Sequence, residues 1–453
     1  MVKYIFVDNF RGFTRTLLSV RDVNFLVGEN STGKTSILTL IKLLASPYFW
    51  FEQRFHTNEV KLGMFKDIVS VGSLDKGYFS IGFADVAGET EKAENVDSSY
   101  AFLATFAEEE GVPIITDYST FVMDEQLRVH FSAGSVKHRD EGEYHLFDDY
   151  ESIKEVFMRL ADSHQNVGAG YTALRRMPVI EGKPSLAYID SMLEEELRRK
   201  RRVGLGKRPR LYFRIPFGEV VWLAPIRTKP QRTYDSYRLD FSPEGEHTPY
   251  LIKKLLARRT SKQRTQAERF TQFIEEFGKE SGLFRSISIK DYDRRTTTSP
   301  FELDVVLAED ALSVDNVGYG VSQALPVIVE LFYRSPNTWF VVQQPEVHLH
   351  PKAQTALGDV IFGLAALQNK KFVIETHSDF TIDGFRLQYK NKRAEGKPDA
   401  QIVFFERKEG GNNLYEIPIL ENGEISENQP AAYREFFLRK QMQLLGLQDV
   451  HSN

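Results

Sequence analysis

The apolar positions of the chain follow two periods that alternate along its length. Tyr4–Val7 and Val23–Val27 are short runs of aromatic and β-branched residues bounded by turn formers, the pattern of strands. Ser36–Ala45 (SILTLIKLLA) is apolar on nearly every face except at Thr39 and Lys42, as expected of a helix packed against a sheet. Strand-like runs return at Ile68–Val71 and Tyr78–Phe83, and again in VVWLAPIR (Val220–Arg227). A basic helical stretch over Leu251–Phe277 leads into a strand–helix series: Leu303–Leu307, Gln323–Tyr333, Trp339–Val342, Ala353–Leu367 and Phe372–Glu375. Such alternation predicts an α/β fold built on a largely parallel sheet.

The alternation stops from about Thr90 to Pro209. Acidic clusters (Glu108–Glu110, Asp148–Glu151), short apolar runs and a Glu/Arg-rich stretch (Ala187–Arg202) take its place. The expected organisation is a head formed by residues 1–90 and 212–390, an inserted, mostly helical subdomain at 91–211, and an extension at 391–453. The extension holds a strand (Gln401–Phe405) and a helix (Ala432–Leu445).

Composition narrows the function classes. Lys+Arg 58 against Asp+Glu 63 gives a net charge of −5, which argues against a protein that coats nucleic acid non-specifically. Basic clusters do occur, at Arg198–Arg202 with Lys207, Arg208 and Arg210, and at Arg258–Arg269. Solvated helix faces explain them most simply; a surface gripping DNA, RNA or an acidic protein is the alternative. With no cysteine, disulfides, thiolate metal sites and cysteine nucleophiles are excluded together. Charges at Lys3, Asp8 and Arg11 interrupt any signal-like apolar segment, and no run is long enough to span a bilayer. A cytoplasmic protein with no membrane partner is expected.

Gly28–Thr35, GENSTGKT, matches G-x-x-x-x-G-K-[ST] in full. Gly28 and Gly33 let the backbone curl into a nest of N–H groups, with Asn30, Ser31, Thr32 and Ser36 completing the phosphate-facing run. Lys34 is expected to reach the β- and γ-phosphates of ATP, and Thr35 to hold Mg²⁺.

Four further segments accompany this loop: NFRGF (Asn9–Phe13), NVGYGVSQALP (Asn316–Pro326), FVVQQPEVHLHP (Phe340–Pro351) and FVIETHSD (Phe372–Asp379). In this order they resemble the ABC-type ATPases related to structural-maintenance-of-chromosomes and RecF-like heads. The nearest likeness is to ATPases of bacterial anti-phage systems: the OLD family, the Septu ATPase and the AriA subunits of the phage anti-restriction-induced system. The likeness covers about Met1–Ala87 and Tyr212–Gln388. It implies an ABC-type P-loop head and places Arg11 beside the nucleotide phosphates. It further implies that Gly318, Gly320 and Ser322 form a signature loop capping the γ-phosphate held by a second subunit, and that His377 is a γ-phosphate-sensing switch. A plain loop before a helix and a solvated histidine are the simpler readings of these two segments.

One departure stands out. Where such proteins carry E-Q-P-E or D-E-P-E, this chain has Gln343-Gln344-Pro345-Glu346. Gln343 stands at the magnesium-linked acid and Gln344 at the water-activating glutamate, and a neutral amide cannot take a proton. Two explanations fit: a naturally slow ATPase with Glu346 as the remaining nearby carboxylate, or a Glu→Gln change that traps ATP. Both predict ATP binding with weak turnover. His348 and His350 read as a loop at a subunit interface rather than as zinc ligands.

The resemblance implies at least a homodimer that serves as sensor or scaffold in an anti-phage complex. Such a complex would hold an effector such as a TOPRIM-like nuclease until a phage-encoded trigger arrives. Too little chain follows His377 for a TOPRIM domain of its own, and no D-x-D occurs there. A DNA-maintenance ATPase that clamps nucleic acid, and a nucleotide-gated scaffold without hydrolysis, remain as alternatives.

Overall fold

The run at Val23–Gly28 becomes a strand buried at every position, and it stands inside the sheet that organises the molecule. The computed structural model describes residues 2–73, 75–86, 100–122, 125–132, 135–143, 149–163, 171–173, 179–180, 183–186, 215–235, 240–292, 299–391, 396–427 and 429–434. The central sheet runs Val220–Leu223, Trp339–Gln343, Lys371–Glu375, Val23–Gly28, Ala400–Lys408, Gly411–Ile419. Its first five strands are parallel and the last is antiparallel. The carboxyl ends of the parallel strands therefore lie together along one edge, where α/β sheets place their ligands.

Successive residues of these strands face opposite cores. Leu26, Val341, Val373 and Val403 share one core with the helix Lys34–Leu44 and with a second sheet. Phe25, Val342, Phe372, Ile374 and Phe404 join the other, closed by the helices Thr248–Leu255, Ser261–Ser281, Tyr319–Tyr333, Pro351–Gln368 and Asp379–Asn391. Because sheets flank the helix Lys34–Leu44 on two sides, its apolar residues need no single stripe. Ile37, Leu38, Leu40, Ile41, Leu43 and Leu44 are all buried.

The second sheet corrects one expectation. The segment 91–211 is not mostly helical where it is described: it contributes the strands Tyr100–Glu109, Val112–Val122, Glu125–Ser132 and Ser135–Glu143. These extend, as an antiparallel meander, a sheet begun by Thr16–Val20, Val2–Asp8 and Tyr78–Val86. Tyr100–Glu109 and Val112–Val122 show no alternation of period two because they are covered on both faces. On one side Phe106 meets Phe49, Phe102 meets Trp50, and Tyr118 stacks on Phe102. On the other, Ala101, Leu103 and Phe121 pack with the helix Tyr150–Ser163, whose Phe157 stacks on Phe6 at 4.9 Å. The acidic cluster at Glu108–Glu110 is a hairpin end: Glu109 pairs with Val112 across Glu110 and Gly111, both at positive φ.

Other expectations shift more modestly. Ile68–Val71 is not a strand; the short helix Phe65–Ile68 ends there. The single helical stretch at Leu251–Phe277 is two helices, Thr248–Leu255 and Ser261–Ser281. The strand expected in the 391–453 extension is present, but it belongs to the central sheet. The stretch Ala187–Arg202, the basic cluster Arg198–Arg210, and most of the helix expected at Ala432–Leu445 lie outside the described residues. Arg258, Arg259, Lys262, Arg264 and Arg269 are exposed around the start of Ser261–Ser281, as a solvated face would be. Among the described residues no helix is long and apolar enough to cross a membrane.

Candidate functional site

The strand Val23–Gly28 ends at a position only glycine can fill. Gly28 has φ +135°, and a Cβ there would lie 2.2 Å from the carbonyl oxygen of Phe405 on the neighbouring strand. The chain then turns through Ser31 (φ 61°) and Gly33 (φ 95°) into the helix Lys34–Leu44, whose start no side chain caps. The first-turn N–H groups are thus left for an anion. Lys34 folds back over the loop. It is 3% exposed, and its Nζ donates to the carbonyls of Gly28 (2.9 Å) and Glu29 (2.6 Å). Burial pulls its pKa below the ordinary lysine value, against the opposing pull of Glu375 and Glu29. The Thr32 hydroxyl tightens the same loop through the Glu29 carbonyl, 2.8 Å away.

A second turn faces the first. Phe10 and Phe13 exchange backbone hydrogen bonds of 2.9 and 2.8 Å across Arg11 (φ 45°) and Gly12 (φ 88°), so NFRGF is a tight hairpin with its two phenylalanines buried. Arg11 lines the phosphate-loop cavity, its guanidinium held by the carbonyls of Leu62 (2.7 Å) and Asp67 (3.2 Å). The hairpin Ala400–Ile419 supplies a third wall. Asn412 donates its N–H to the Gly12 carbonyl at 2.7 Å, and Arg407, Lys408 and Gly411 join it around the cavity. The cavity, open to solvent on one side, has a volume of about 540 Å³ and is lined by Arg11, Asn30, Ser31, Gly33, Lys34, Thr35 and Ser36.

A further lining residue outside the sequence candidates binds the loop hydroxyl. Glu375 ends the strand Lys371–Glu375, is 7% exposed, and accepts the Thr35 hydroxyl at 3.0 Å. Its signal was present in the sequence: an acid closes an apolar strand just before Thr376-His377. Gln343 meets the cavity through this residue, donating its amide Nε2 to the same Glu375 oxygen at 3.3 Å. Gln344 stands in the left-handed region (φ 41°), with its N–H on the Glu375 carbonyl at 2.7 Å. Glu346 accepts the backbone N–H of His377 at 2.7 Å, and burial raises its carboxyl above the usual range. Burial also brings the neighbouring Arg227 down to about 10, with Glu346 opposing that shift. The His377 side chain is exposed.

The signature residues lie elsewhere. Gly318, Gly320 and Ser322 do not line the cavity. Gly318 caps the helix Tyr319–Tyr333 with open space around it, and a Cβ on Gly320 would meet the His348 carbonyl at 3.0 Å. Tyr319, 54% exposed, lies 5.9 Å from the His348 ring. Ser322 is buried, its hydroxyl donating to the Tyr319 carbonyl at 2.9 Å. The cavity and the signature segment are thus separate features of one chain. Among the described residues no three His, Asp or Glu side chains converge as a metal cluster.

Over residues 23–383 the chain matches the family described as "AAA domain, putative AbiEii toxin, Type IV TA system". No curated protein matches it. Among solved structures, an SMC head bound to the C-winged helix domain of ScpA aligns at 9% identity over 92% of this chain and 98% of that one, with a TM-score of 0.42. The Smc head with an extended coiled coil bound to the C-terminal domain of ScpA, derived from Pyrococcus furiosus, aligns at 11% identity over 98% of each chain, with a TM-score of 0.37. The SMC head domain from Thermotoga maritima aligns at 12% identity over 92% of this chain and 98% of that one, with a TM-score of 0.35.

Proposed function

The chain belongs to this AAA-domain family of the AbiEii type, and from that membership we propose that it is an ABC-type ATPase in which two copies close on MgATP, serving as sensor or scaffold of a bacterial anti-phage complex. The cavity around Gly28–Ser36 carries the nucleotide reading. A buried ammonium (Lys34), a hydroxyl (Thr35), a carboxylate (Glu375) and uncapped N–H groups surround a space of about 540 Å³. This donor set fits a triphosphate with its metal. Lys34 and Arg11 would hold phosphate oxygens, and Thr35 would hold Mg²⁺. When bound, the metal neutralises and aligns the phosphate oxygens.

Gly318, Gly320 and Ser322 would meet the γ-phosphate held by a second copy, which explains why they do not line the cavity of their own chain. Gly318→Arg tests this cleanly, because φ −59° and open surroundings let any side chain fit there. The variant should fold and bind ATP like its parent yet lose ATP-dependent dimerisation, measured by mass photometry. Unchanged dimerisation would remove the signature role.

Turnover should be slow because Gln344 cannot accept a proton from the attacking water. Gln344→Glu should raise the steady-state phosphate-release rate at least about tenfold, the low end of what a placed general base supplies, roughly 10²–10⁴-fold. An equal or slower rate would contradict this assignment.

The defence role rests on the family description and on the motif resemblance to OLD, Septu and AriA ATPases. Co-expression with the genes flanking its own, followed by phage challenge, is the test. Protection that disappears with Lys34→Ala supports it, as does co-purification of a flanking-gene nuclease. Salt-sensitive duplex-DNA binding without protection would favour a clamp instead.

A further inference from the structure

We infer that the acid serving the magnesium ion has moved one strand across the sheet: Glu375 supplies the carboxylate that Gln343 cannot. The inference rests on the nucleotide reading above and extends it to a residue outside the signature motifs.

Topology makes the exchange feasible. Trp339–Gln343 and Lys371–Glu375 are adjacent parallel strands, and Gln343 and Glu375 are their last registered pair. Both side chains leave the sheet at the same level, beside the strand that feeds the phosphate loop. In P-loop ATPases the loop hydroxyl holds the metal, and an acid at a neighbouring strand end fixes that hydroxyl and the metal's waters. Here one carboxylate oxygen of Glu375 accepts the Thr35 hydroxyl at 3.0 Å and the Gln343 amide at 3.3 Å. Lys34 interacts favourably with the same carboxylate. Two hydrogen bonds thus hold the acid, and its position is set before any metal arrives.

The pairing also gives Gln343 a physical reason. A glutamate there would place a second carboxylate within hydrogen-bond range of Glu375, where one of the two would tend to keep its proton. An amide donates instead and holds the remaining charge in place. The pair is therefore an acid and an orienting amide with their strands exchanged, and the charge beside Thr35 is preserved.

The experiment measures metal rather than turnover. Mn²⁺ replaces Mg²⁺, and its affinity for the protein–ATP complex is read by electron paramagnetic resonance; fluorescent-ATP binding is measured in parallel in EDTA. Glu375→Gln should weaken Mn²⁺ binding by roughly 10–100-fold, as loss of a group ordering a metal ligand does, while metal-free nucleotide binding is retained. The exchanged double variant, Gln343→Glu with Glu375→Gln, should recover most of the Mn²⁺ affinity and guards against a folding defect in the single variant. Glu375→Gln that holds Mn²⁺ as its parent does overturns the inference and leaves the nucleotide reading standing. A parent that binds no nucleotide in either condition removes that reading, and the inference with it.

Discussion

Lys34→Ala should weaken ATP binding by about 2–5 kcal/mol, roughly 30- to several-thousand-fold, the range for removing one partner of a buried, hydrogen-bonded charge pair. Three features place the variant at the upper end. Lys34 is 3% exposed, so a triphosphate meeting its ammonium does so with little competing water. Its Nζ already rests on the Gly28 and Glu29 carbonyls, so little side-chain freedom remains to be lost on binding. Lys34 is also the one cation within Gly28–Ser36, so no neighbour in the loop can take its place. Isothermal titration of parent and variant measures the effect, with a thermal melt of each nucleotide-free protein as the folding control. Equal affinities would detach ATP from this cavity.

Ending the chain at Asn391 should abolish folding. The segment beyond it looks like an appendage in sequence, yet Ala400–Lys408 pairs along the phosphate-loop strand from Ala400↔Val23 to Phe405↔Gly28. Ile402, Val403, Phe404 and Phe405 are each at most 3% exposed. Burying side chains of this size stabilises by about 1.5–3 kcal/mol apiece, so these four account for roughly 6–12 kcal/mol. That is comparable to the whole stability of a typical domain, about 5–15 kcal/mol. The deletion would also leave the strand Val23–Gly28 as a bare sheet edge and release the Arg11–Gly12 turn from Asn412. Expression should yield insoluble protein, or a soluble species without a cooperative melt. A truncated chain that melts cooperatively and binds ATP would show that the hairpin is dispensable.

These two cases mark what sequence could and could not convey. Gly28–Thr35 was legible because its chemistry is local: two glycines, a lysine and a hydroxyl at fixed spacing next to a strand and a helix. The pairing of Ala400–Lys408 with Val23–Gly28 was not, since nothing in either run names a partner so far away in the chain. Tyr100–Val122 failed for another reason. Its strands are buried on both faces by Trp50 and its neighbours on one side and Phe157 on the other, so the period-two signal is erased. Glu375 was visible as a letter but not as a site residue. Its importance depends on the register that sets it opposite Gln343 and within reach of Thr35, and register is a property of the folded sheet. Gly318 stands at the start of the helix Tyr319–Tyr333, and the separation of that segment from the cavity appears only in three dimensions.

The central claim is that each ATP is held between two copies, the phosphate loop of one and the signature segment of the other. Mixing Lys34→Ala with Gly318→Arg tests it most directly. Each variant alone lacks half of every shared site, whereas a mixed pair contains one intact site, formed by Lys34 of one copy and Gly318 of the other. Native mass spectrometry with MgATP should detect the mixed dimer carrying a single nucleotide, with neither variant pairing with itself. Absence of the mixed dimer, or ATP-dependent pairing of Lys34→Ala with itself, would contradict the account.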